Sequence, residues 1–251
     1  MLIEARHVTK AFGAFKAVDD ASVTVEEGDI LGLICPNGAG KSTFFNCLTG
    51  DLPLSSGTVI FNAADVTRLP PEERARLGLA RTFQVPLTFE SMSVLDNATI
   101  GALLRHHNAR DARARAREVL QRVGLGPVAE APARSLGTPG RKRLEIARAL
   151  ATEPRLLLLD ESLAGLTPSE LQEAIALVRR IHQSGVTIVI VEHIMEVIMT
   201  LTRHVLVFNQ GHVIASGTPD SVVREPAVIE AYLGRSHRRP PLDPSPASGG
   251  G

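Results

Sequence analysis

The stretch that most restricts how this chain can fold is "PNGAGKST" at 36–43, which lies between an apolar strand pattern and a helical pattern. Polyphosphates are bound by inward-facing backbone N–H groups, a helix N-terminus, a lysine, and a hydroxyl that ligates Mg2+. Gly38 and Gly40 let the backbone approach the phosphate oxygens, Lys41 provides the charge, and Ser42 provides the hydroxyl. A glycine-rich turn that binds nothing is the alternative, but the strand–turn–helix context favours nucleotide binding. The other residues predicted to contact the nucleotide are Pro36, Asn37, Ala39 and Thr43.

Cys35 stands where the pattern G-x-x-x-x-G-K-[ST] has its first glycine. It precedes the residues whose amides surround the phosphates, so we expect a small backbone adjustment rather than loss of binding. A position with positive φ would instead penalise cysteine and lower the affinity. A helix N-terminus nearby could lower the thiol pKa, whereas burial would leave the thiol inert. Cys35 and Cys47 form neither a disulfide framework nor a zinc pattern, which indicates a reducing compartment.

Charge and hydropathy exclude several classes of protein. Lys+Arg and Asp+Glu are equal at 27 each among 251 residues, so nothing in the net charge favours a nucleic-acid partner. The longest apolar runs, such as "VTIVIV" at 186–191, have the length of strands rather than membrane spans, and no secretion signal is evident. We therefore expect a soluble chain that could still dock on a membrane protein.

The pattern of strands and helices predicts an α/β fold with a mainly parallel sheet covered on both faces. Strands are predicted at 2–8, 21–25, 29–34, 57–62, 79–84, 155–160 and 186–191. Helices are predicted at 41–48, 70–78, 141–152 and 168–185, with a mostly helical region from 91 to about 140.

The apolar run "LLLLDE" at 156–161 predicts the second half of the site. A carboxylate at the end of a strand near the phosphate loop can hold Mg2+ through water, and its neighbour can polarise the attacking water. These roles fall to Asp160 and Glu161. Alone, such a run is more often an ordinary boundary between strand and loop, but the phosphate loop favours the functional interpretation.

Together the motifs resemble the nucleotide-binding subunit of ABC transporters over about residues 2–234. Phe12 matches the aromatic position that stacks on adenine, with a core phenylalanine as the alternative. Gln84 matches the glutamine that ligates the metal, senses the γ-phosphate and couples to the transmembrane subunit. "AGLTP" at 164–168 matches the loop that crosses the dimer interface. His193 matches the histidine that contacts the γ-phosphate.

This resemblance implies a P-loop NTPase fold of the ABC type. It adds an N-terminal antiparallel β-subdomain and a helical subdomain at about 88–143 to the parallel sheet. We expect one nucleotide-binding domain over 1–235. The proline-, serine- and glycine-rich segment 236–251 is expected to be a disordered tail.

Several sequence segments resemble those of ATPases from branched-chain amino acid importers. They are "LGLARTFQVPLTF", "RLEIARALATEPRLLLLDE", "AGLTPSE", "VEHIMEVIM" and "VIEAYLG". The resemblance implies ATP and Mg2+ as cofactors, a second ATPase subunit, two permease subunits and an extracytoplasmic substrate-binding protein. It also implies a peripheral location on the cytoplasmic face of the inner membrane, and transport of branched-chain amino acids or a related small amide.

One segment departs from the family pattern. Its members carry a signature resembling L-S-G-G-Q, whose serine and glycine amides cap the γ-phosphate bound to the opposite subunit. The aligned residues 136–140 read "LGTPG", so the serine hydroxyl is absent, and Pro139 has no N–H. We expect a helix to begin near Arg141 and to remain a modest anion site. Ser135 or Thr138 could supply a hydroxyl if the loop shifted.

The altered signature leads to a hypothesis about asymmetry. In a head-to-tail dimer, each site combines one subunit's phosphate loop with the other subunit's signature. This chain should therefore weaken the site on its partner's loop, whereas its own Glu161 and His193 should work with an intact partner signature. A heterodimer would then have one strong and one weak site, and a homodimer would have two weak sites.

Other interpretations remain open. ABC ATPases that act on ribosomes or DNA usually duplicate the domain or insert coiled arms, and neither is seen here. An exporter or lipid-extraction ATPase would carry nearly the same motifs. A regulatory subunit that does not hydrolyse ATP would fit the altered signature but not the retention of Lys41, Glu161 and His193. The arginine-rich helix at 110–122 could contact RNA, although its acidic residues and alanine spacers favour a solvated face.

Overall fold

The computed structural model describes residues 1–36 and 38–233. Among them, the larger sheet contains β3 (Ile30–Ile34), β6 (Leu79–Arg81), β7 (Leu156–Asp160), β8 (Thr187–Val191), β9 (His204–Asn209) and β10 (His212–Gly217), in the spatial order β10-β9-β3-β8-β7-β6. Its neighbouring strands are parallel except for the β9–β10 pair. The smaller, antiparallel sheet contains β1 (Ile3–Phe12), β2 (Phe15–Val25), β4 (Ser56–Phe61) and β5 (Ala64–Asp65), in the order β2-β1-β4-β5.

The helices lie between and around these sheets. They are α1 (Lys41–Thr49), α2 (Pro71–Leu77), α3 (Val94–Ala102), α4 (Ala109–Arg122), α5 (Thr138–Ala151), α6 (Pro168–Gln183), α7 (Met195–Leu201), α8 (Pro219–Val222) and α9 (Pro226–Leu233), with 3-10 turns at Gly126–Val128 and Ala133–Ser135. None of the helices in the described part of the chain is long and apolar enough to cross a membrane.

The central strands of the larger sheet separate two hydrophobic cores. Leu31 and Leu33 of β3 face a core shared with α1 and the antiparallel sheet. Ile30 and Ile34, on the opposite face of β3, join a core built with α3 to α7. Because both faces are covered, strands β3, β7 and β8 are buried at every residue. Burial of each large aliphatic side chain contributes about 1.5–3 kcal/mol relative to exposure.

The helical region is held together by close packing of α3 against α4 and α5. Ser93 caps α3 by accepting a hydrogen bond from the Asp96 backbone N–H, and Asn108 caps α4 through the Arg110 N–H. At Gly101 an added Cβ would lie 2.2 Å from the carbonyl oxygen of Arg148, so only glycine allows α3 to approach α5 this closely.

Most of the predicted elements are confirmed, and some predicted boundaries were wrong. Helix α5 begins at Thr138 rather than near Arg141, because proline is tolerated in the first turn of a helix. Strand β6 ends at Arg81 rather than at Gln84. The Thr82 N–H still donates to the Leu158 carbonyl of β7, but the Phe83 N–H donates to Glu145 of α5 and the Gln84 side chain donates to Glu161. Asn37 and the predicted tail at 236–251 lie outside the described residues.

Candidate functional site

The phosphate loop joins β3 to α1 at the carboxyl end of the parallel strands. Gly38 and Gly40 have φ of 78° and 97°, a left-handed conformation that glycine adopts without strain. Gly40 is also the N-cap of α1, and an added Cβ there would lie 2.1 Å from the Ala17 carbonyl oxygen. The two glycines are therefore required by backbone conformation, and Gly40 is required by packing as well.

A cavity of about 550 Å³ opens beside this loop. The turn between β9 and β10 forms its far wall, because the Gly211 N–H donates to the Ala39 carbonyl and the Asp19 N–H donates to the Gly211 carbonyl, both at 2.9 Å. The described residues that line the cavity are Phe15, Lys16, Ala17, Gly38, Gly40, Lys41, Ser42, Thr43, Gln210 and Gly211.

The aromatic side chain at this cavity is not the predicted one. Phe12 is 50% exposed at the end of β1 and does not line the cavity, and the ammonium of Lys10 lies 5.1 Å from its ring centroid. Phe15, its cross-strand partner in the β1–β2 hairpin, lines the cavity instead. Sequence spacing placed an aromatic residue in the hairpin but could not determine which of the two faces the cavity.

Three predicted site residues are in direct contact. The Lys41 ammonium forms an ion pair with Glu161 Oε1, and Gln84 Nε2 donates a 2.7 Å hydrogen bond to Glu161 Oε2. Lys41 and Glu161 are largely buried, with side-chain exposures of 11% and 7%. The structure thus connects the phosphate loop, the end of β7 and the segment after β6 at one carboxylate.

Asp160 lies beside this group, at the end of β7. Burial raises the pKa of its carboxyl, and the nearby charges of Arg81 and Lys41 oppose that rise. Arg81 lies 3.4 Å from Asp160 Oδ2, and it also donates to Asn46 Oδ1 of α1 at 2.5 Å. Sequence reasoning missed Arg81, because an arginine at a strand end gives no local sign of what it will contact.

The turn after β7 has a strained backbone. Glu161 has φ of 47°, which is unusual for a residue other than glycine. Its N–H donates to the Val191 carbonyl at 3.0 Å, and its carbonyl accepts from the Lys142 ammonium at 3.2 Å. Two residues later the Leu163 N–H donates to Glu192 Oε1 at 2.8 Å. Lys142 and Glu192 were not predicted from the sequence.

Burial shifts the pKa values of these two charged groups. It lowers the pKa of Lys142, while Glu192 and Glu145 oppose that shift. It raises the pKa of Glu192 to about 7, against the favourable effects of the Leu163 N–H, Lys142 and Lys41. The sequence offered no signal for Lys142, which lies between Arg141 and Arg143, and none for Glu192, which directly follows β8.

Helix α5 also holds the segment that carries Gln84. Glu145 accepts a 3.0 Å hydrogen bond from the Phe83 N–H, and burial raises the pKa of its carboxyl to about 6. One turn later, Arg148 donates to the Leu87 carbonyl and lies 4.9 Å from the Phe89 ring centroid. Between these residues and α2 runs a largely apolar groove of about 300 Å³.

His193 and the first turn of α1 complete the predicted set. His193 follows β8 and is exposed, and its side chain forms no hydrogen bond or ion pair with any described residue. Ser42 is exposed on the first turn of α1, where its hydroxyl borders the cavity. The structure therefore brings together Lys41, Gln84 and Glu161, but it leaves His193 and Phe12 apart from them.

The oxygen ligands predicted for Mg2+ fit that ion chemically. Ser42 offers a hydroxyl, Gln84 an amide oxygen and Asp160 a carboxylate. These are hard oxygen ligands of the kind Mg2+ prefers, and Mg2+ is usually held by one or two carboxylates together with substrate phosphates. Because the Gln84 amide donates through Nε2 to Glu161, its oxygen is left to accept or to coordinate.

The altered signature lies at the N-terminus of α5. Gly137 is the N-cap and provides no side-chain hydrogen bond, and Pro139 occupies the first turn without an N–H. The Ser135 hydroxyl, a possible substitute, donates to the Pro132 carbonyl at 2.7 Å. The Arg141 N–H already donates to the Gly137 carbonyl at 3.0 Å. The N–H groups of Thr138 and Gly140 are therefore the ones left at this helix end to bind an anion.

Cys35 is a buried residue at the end of β3. It is not among the residues with positive φ, so the backbone at this position is ordinary for a side chain. Burial raises its thiol pKa to about 12, despite the opposing charge of Lys41. The possibility of a thiol activated by the helix N-terminus is therefore wrong.

Comparisons with known proteins agree with this geometry. A family model described as "ABC transporter" matches residues 18–164. A second model, described as "Branched-chain amino acid ATP-binding cassette transporter", matches residues 212–238. The first match covers more than half of the chain and includes the phosphate loop and the acidic pair.

Similar proteins are known from several bacteria. The high-affinity branched-chain amino acid transport ATP-binding protein BraF of Pseudomonas aeruginosa is 36% identical, covering 94% of this chain and 98% of BraF. LivG of Salmonella typhimurium, with the same description, is 39% identical over 90% of this chain and 94% of LivG. The lipopolysaccharide export system ATP-binding protein LptB of Escherichia coli is 33% identical over 94% of this chain and 98% of LptB.

The fold has solved counterparts as well. The crystal structure of a nucleotide-free ATP-binding cassette from an ABC transporter matches with a TM-score of 0.85 at 31% identity, covering 93% of this chain and 99% of that chain. This match confirms the predicted P-loop fold with its two sheets and helical region. Together with the phosphate loop and the Lys41–Glu161–Gln84 contacts, these findings show that the chain belongs to the ABC transporter family, as an ATP-binding subunit whose ATP hydrolysis is coupled to transport.

Proposed function

We propose that this chain powers a membrane importer for branched-chain amino acids or closely related small amides. The observation that carries the proposal is the match of residues 212–238 to the branched-chain amino acid cassette model, which lies outside the motifs that all ABC ATPases share. The similarity to BraF and LivG over nearly the whole chain supports the same substrate class.

Within this proposal, the phosphate loop binds the triphosphate of ATP. The backbone N–H groups of Gly38 and Gly40 bind the phosphate oxygens, and the Lys41 ammonium binds the outer phosphates. Because Lys41 now pairs with Glu161, an incoming phosphate competes for the same ammonium and releases the carboxylate. Thr43 and Ser42 add hydroxyls at the start of α1, and an aromatic ring of the β1–β2 hairpin, Phe12 or Phe15, contacts the adenine.

Glu161 is the general base in this mechanism. Its freed carboxylate accepts the proton of the attacking water as the oxygen bonds to the γ-phosphorus and the bond to ADP breaks. Gln84 keeps the carboxylate in place through its Nε2 hydrogen bond, and His193 donates to the γ-phosphate. Ser42, Gln84 and Asp160 would hold Mg2+, which would neutralise charge on the phosphate oxygens.

The groove between α2 and α5 supports docking of a permease. Exposed apolar side chains border it, and contiguous exposed apolar surface usually marks a binding site. Phe83 and Leu87 line it, so a permease segment seated there would contact the residue that directly precedes Gln84, whose side chain bonds to Glu161. The exposed large apolar side chains of this region are Phe83, Val85, Leu87, Phe89, Ile100 and Leu103.

The full assembly we propose has a second ATPase subunit, two permease subunits and an extracytoplasmic substrate-binding protein, with no nucleic acid. The chain would lie on the cytoplasmic face of the inner membrane as a peripheral subunit. Within it, residues 1–235 form one nucleotide-binding domain, whose helical subdomain spans about 88–143. The altered signature at 136–140 supports a heterodimer, in which this chain's loop faces an intact partner signature.

Purification of the tagged chain from its native membrane tests the assembly. Mass spectrometry should identify two permeases, a second ATPase and a periplasmic-type binding protein, and the reconstituted complex should import labelled leucine when ATP is present. Lys41→Met should abolish import without dissociating the complex. Co-purification with lipid-extraction subunits, which the similarity to LptB makes the second candidate, or with ribosomes, would overturn the importer assignment.

A further inference from the structure

The conformation of Glu161 requires support from its surroundings. A left-handed backbone costs free energy in a residue that has a Cβ, and such strain persists only where neighbouring contacts hold it. The strained residue is also the one whose carboxylate contacts Lys41 and Gln84. The contacts on its backbone therefore determine where the carboxylate points.

Helix α5 provides the first of these contacts. Lys142 is only 8% exposed, and its ammonium donates to the Glu161 carbonyl oxygen at 3.2 Å. A buried cation is costly unless hydrogen bonds and opposite charges compensate it. The charged groups that face Lys142 are Glu192, after β8, and Glu145, on α5 itself. Lys142 thus has no surface role and acts on the backbone of Glu161.

Glu192 provides the second contact from a different part of the fold. It is 1% exposed, and its Oε1 accepts the Leu163 N–H at 2.8 Å. Its Oε2 has no hydrogen-bond partner among the described residues. A buried carboxylate is costly to the fold unless it is paired and hydrogen-bonded, and the pairing of this one is with the turn after β7. The other charges that act on it are Lys142, Lys41 and Asp160.

We propose that Lys142 and Glu192 are positioning residues for hydrolysis, which hold the turn Glu161–Leu163 so that the Glu161 carboxylate faces the phosphate loop. Lys142 fixes the carbonyl at the start of the turn, and Glu192 fixes the N–H two residues later. Because Lys142 belongs to α5, whose first turn carries the altered signature, this contact joins the signature helix directly to the proposed base. The inference rests on the proposed role of Glu161.

The test uses the assembled transporter with variants at both positions. Lys142→Met and Glu192→Leu remove the two contacts, whereas Lys142→Arg and Glu192→Gln keep a donor and an acceptor. Arg143→Met is the matched control, because it removes the same charge from the same helix turn but from a residue that pairs with Glu173 of α6. The readouts are kcat and KM for ATP hydrolysis, and the Kd for Mg-ATP.

We expect Lys142→Met and Glu192→Leu to lower kcat by at least about tenfold, while the Kd for Mg-ATP changes by less than about twofold, because a misplaced catalytic group loses rate rather than binding. Lys142→Arg and Glu192→Gln should recover kcat to within about threefold of the unmodified complex. Arg143→Met should leave kcat for ATP hydrolysis and the Kd for Mg-ATP unchanged.

An unchanged kcat in Lys142→Met and Glu192→Leu would overturn the inference. So would a parallel loss of kcat and nucleotide affinity in the conservative variants, since this would indicate a purely structural role. Glu161→Gln separates the two proposals. If it hydrolyses ATP normally, the assignment of Glu161 as the base fails; if it is inactive while Lys142→Met is fully active, only the positioning inference fails.

Discussion

The packing of Gly40 against β2 makes a quantitative prediction about the phosphate loop. Replacement by alanine places a residue with a Cβ in the left-handed region, which costs roughly 1–2 kcal/mol. The added Cβ would also lie 2.1 Å from the Ala17 carbonyl oxygen. A carbon–oxygen contact needs about 3.3 Å, so the loop or β2 must move by about 1 Å. Overpacking of this kind typically costs a further ~1–3 kcal/mol.

Gly38 is the matched control within the same loop. Its φ of 78° carries the same backbone cost, but an added Cβ there would meet nothing within 4 Å. Gly28, in the turn before β3, has φ of 82° and equally open surroundings, and it lies away from the cavity. The difference in stability between Gly40→Ala and either control therefore measures the effect of the contact with Ala17.

Thermal unfolding of the three variants measures this difference. Gly40→Ala should melt roughly 2–12 °C below Gly38→Ala, since 1 kcal/mol corresponds to about 2–4 °C in a chain of this size. The clash can be relieved by displacing α1. If that displacement costs about 1.4 kcal/mol of ATP-binding free energy, Gly40→Ala should also bind ATP about tenfold more weakly than unmodified protein. Melting temperatures of Gly40→Ala and Gly38→Ala within 1 °C of each other would refute the packing argument.

Three further predictions concern the signature, Glu145 and Cys35. Rebuilding Gly137–Gly140 as S-G-G-Q should raise the ATPase rate of the assembled complex, because it restores a capping hydroxyl and an N–H that Pro139 lacks; an unchanged rate would count against a weakened partner site. Burial raises the pKa of Glu145 from 4.5 to about 6, so the native state binds the extra proton and stability should fall as pH rises from about 4.5 to 6. Glu145→Gln, which can still accept from the Phe83 N–H, should flatten this dependence in unfolding measured between pH 4 and 7. Alkylation of the intact protein should leave Cys35 unmodified and ATP affinity unchanged, since its thiol is buried and has a pKa of about 12; rapid loss of ATP binding on alkylation, with Cys35 modified, would contradict this.

The sequence was sufficient to predict those parts of the fold and of the site that depend on a local pattern of residues. The apolar runs at β7 and β8 predicted buried parallel strands, because side chains that must be apolar on both faces leave no alternation. The phosphate loop and the acidic pair were likewise identified from order and spacing, and the structure brings Lys41 and Glu161 into contact. These features depend on neighbours within a few residues.

Features that depend on tertiary contacts were not predictable in the same way. Phe12 and Phe15 occupy equivalent places across one hairpin, and only the packing of the hairpin on α1 and on the β9–β10 turn decides which ring meets the cavity. Lys142 lies 19 positions from Glu161, whose carbonyl it bonds, and Glu192 lies 29 positions from Leu163, whose N–H it accepts. A charged side chain in a helix or after a strand is usually solvated, so only burial distinguishes these two residues, and burial is known only from the fold.

Helix α5 contacts two segments that carry predicted site residues: Lys142 bonds the Glu161 carbonyl, and Glu145 accepts from the Phe83 N–H, beside Gln84. Its 14 residues span about 21 Å, so tilting it by ~10° about one end displaces the other end by about 3.7 Å. That distance exceeds the tolerance of a hydrogen bond made near the moving end, such as the 3.2 Å bond from Lys142 to the Glu161 carbonyl. We therefore expect a displacement of this size to break the hydrogen bonds of α5 completely rather than to weaken them gradually.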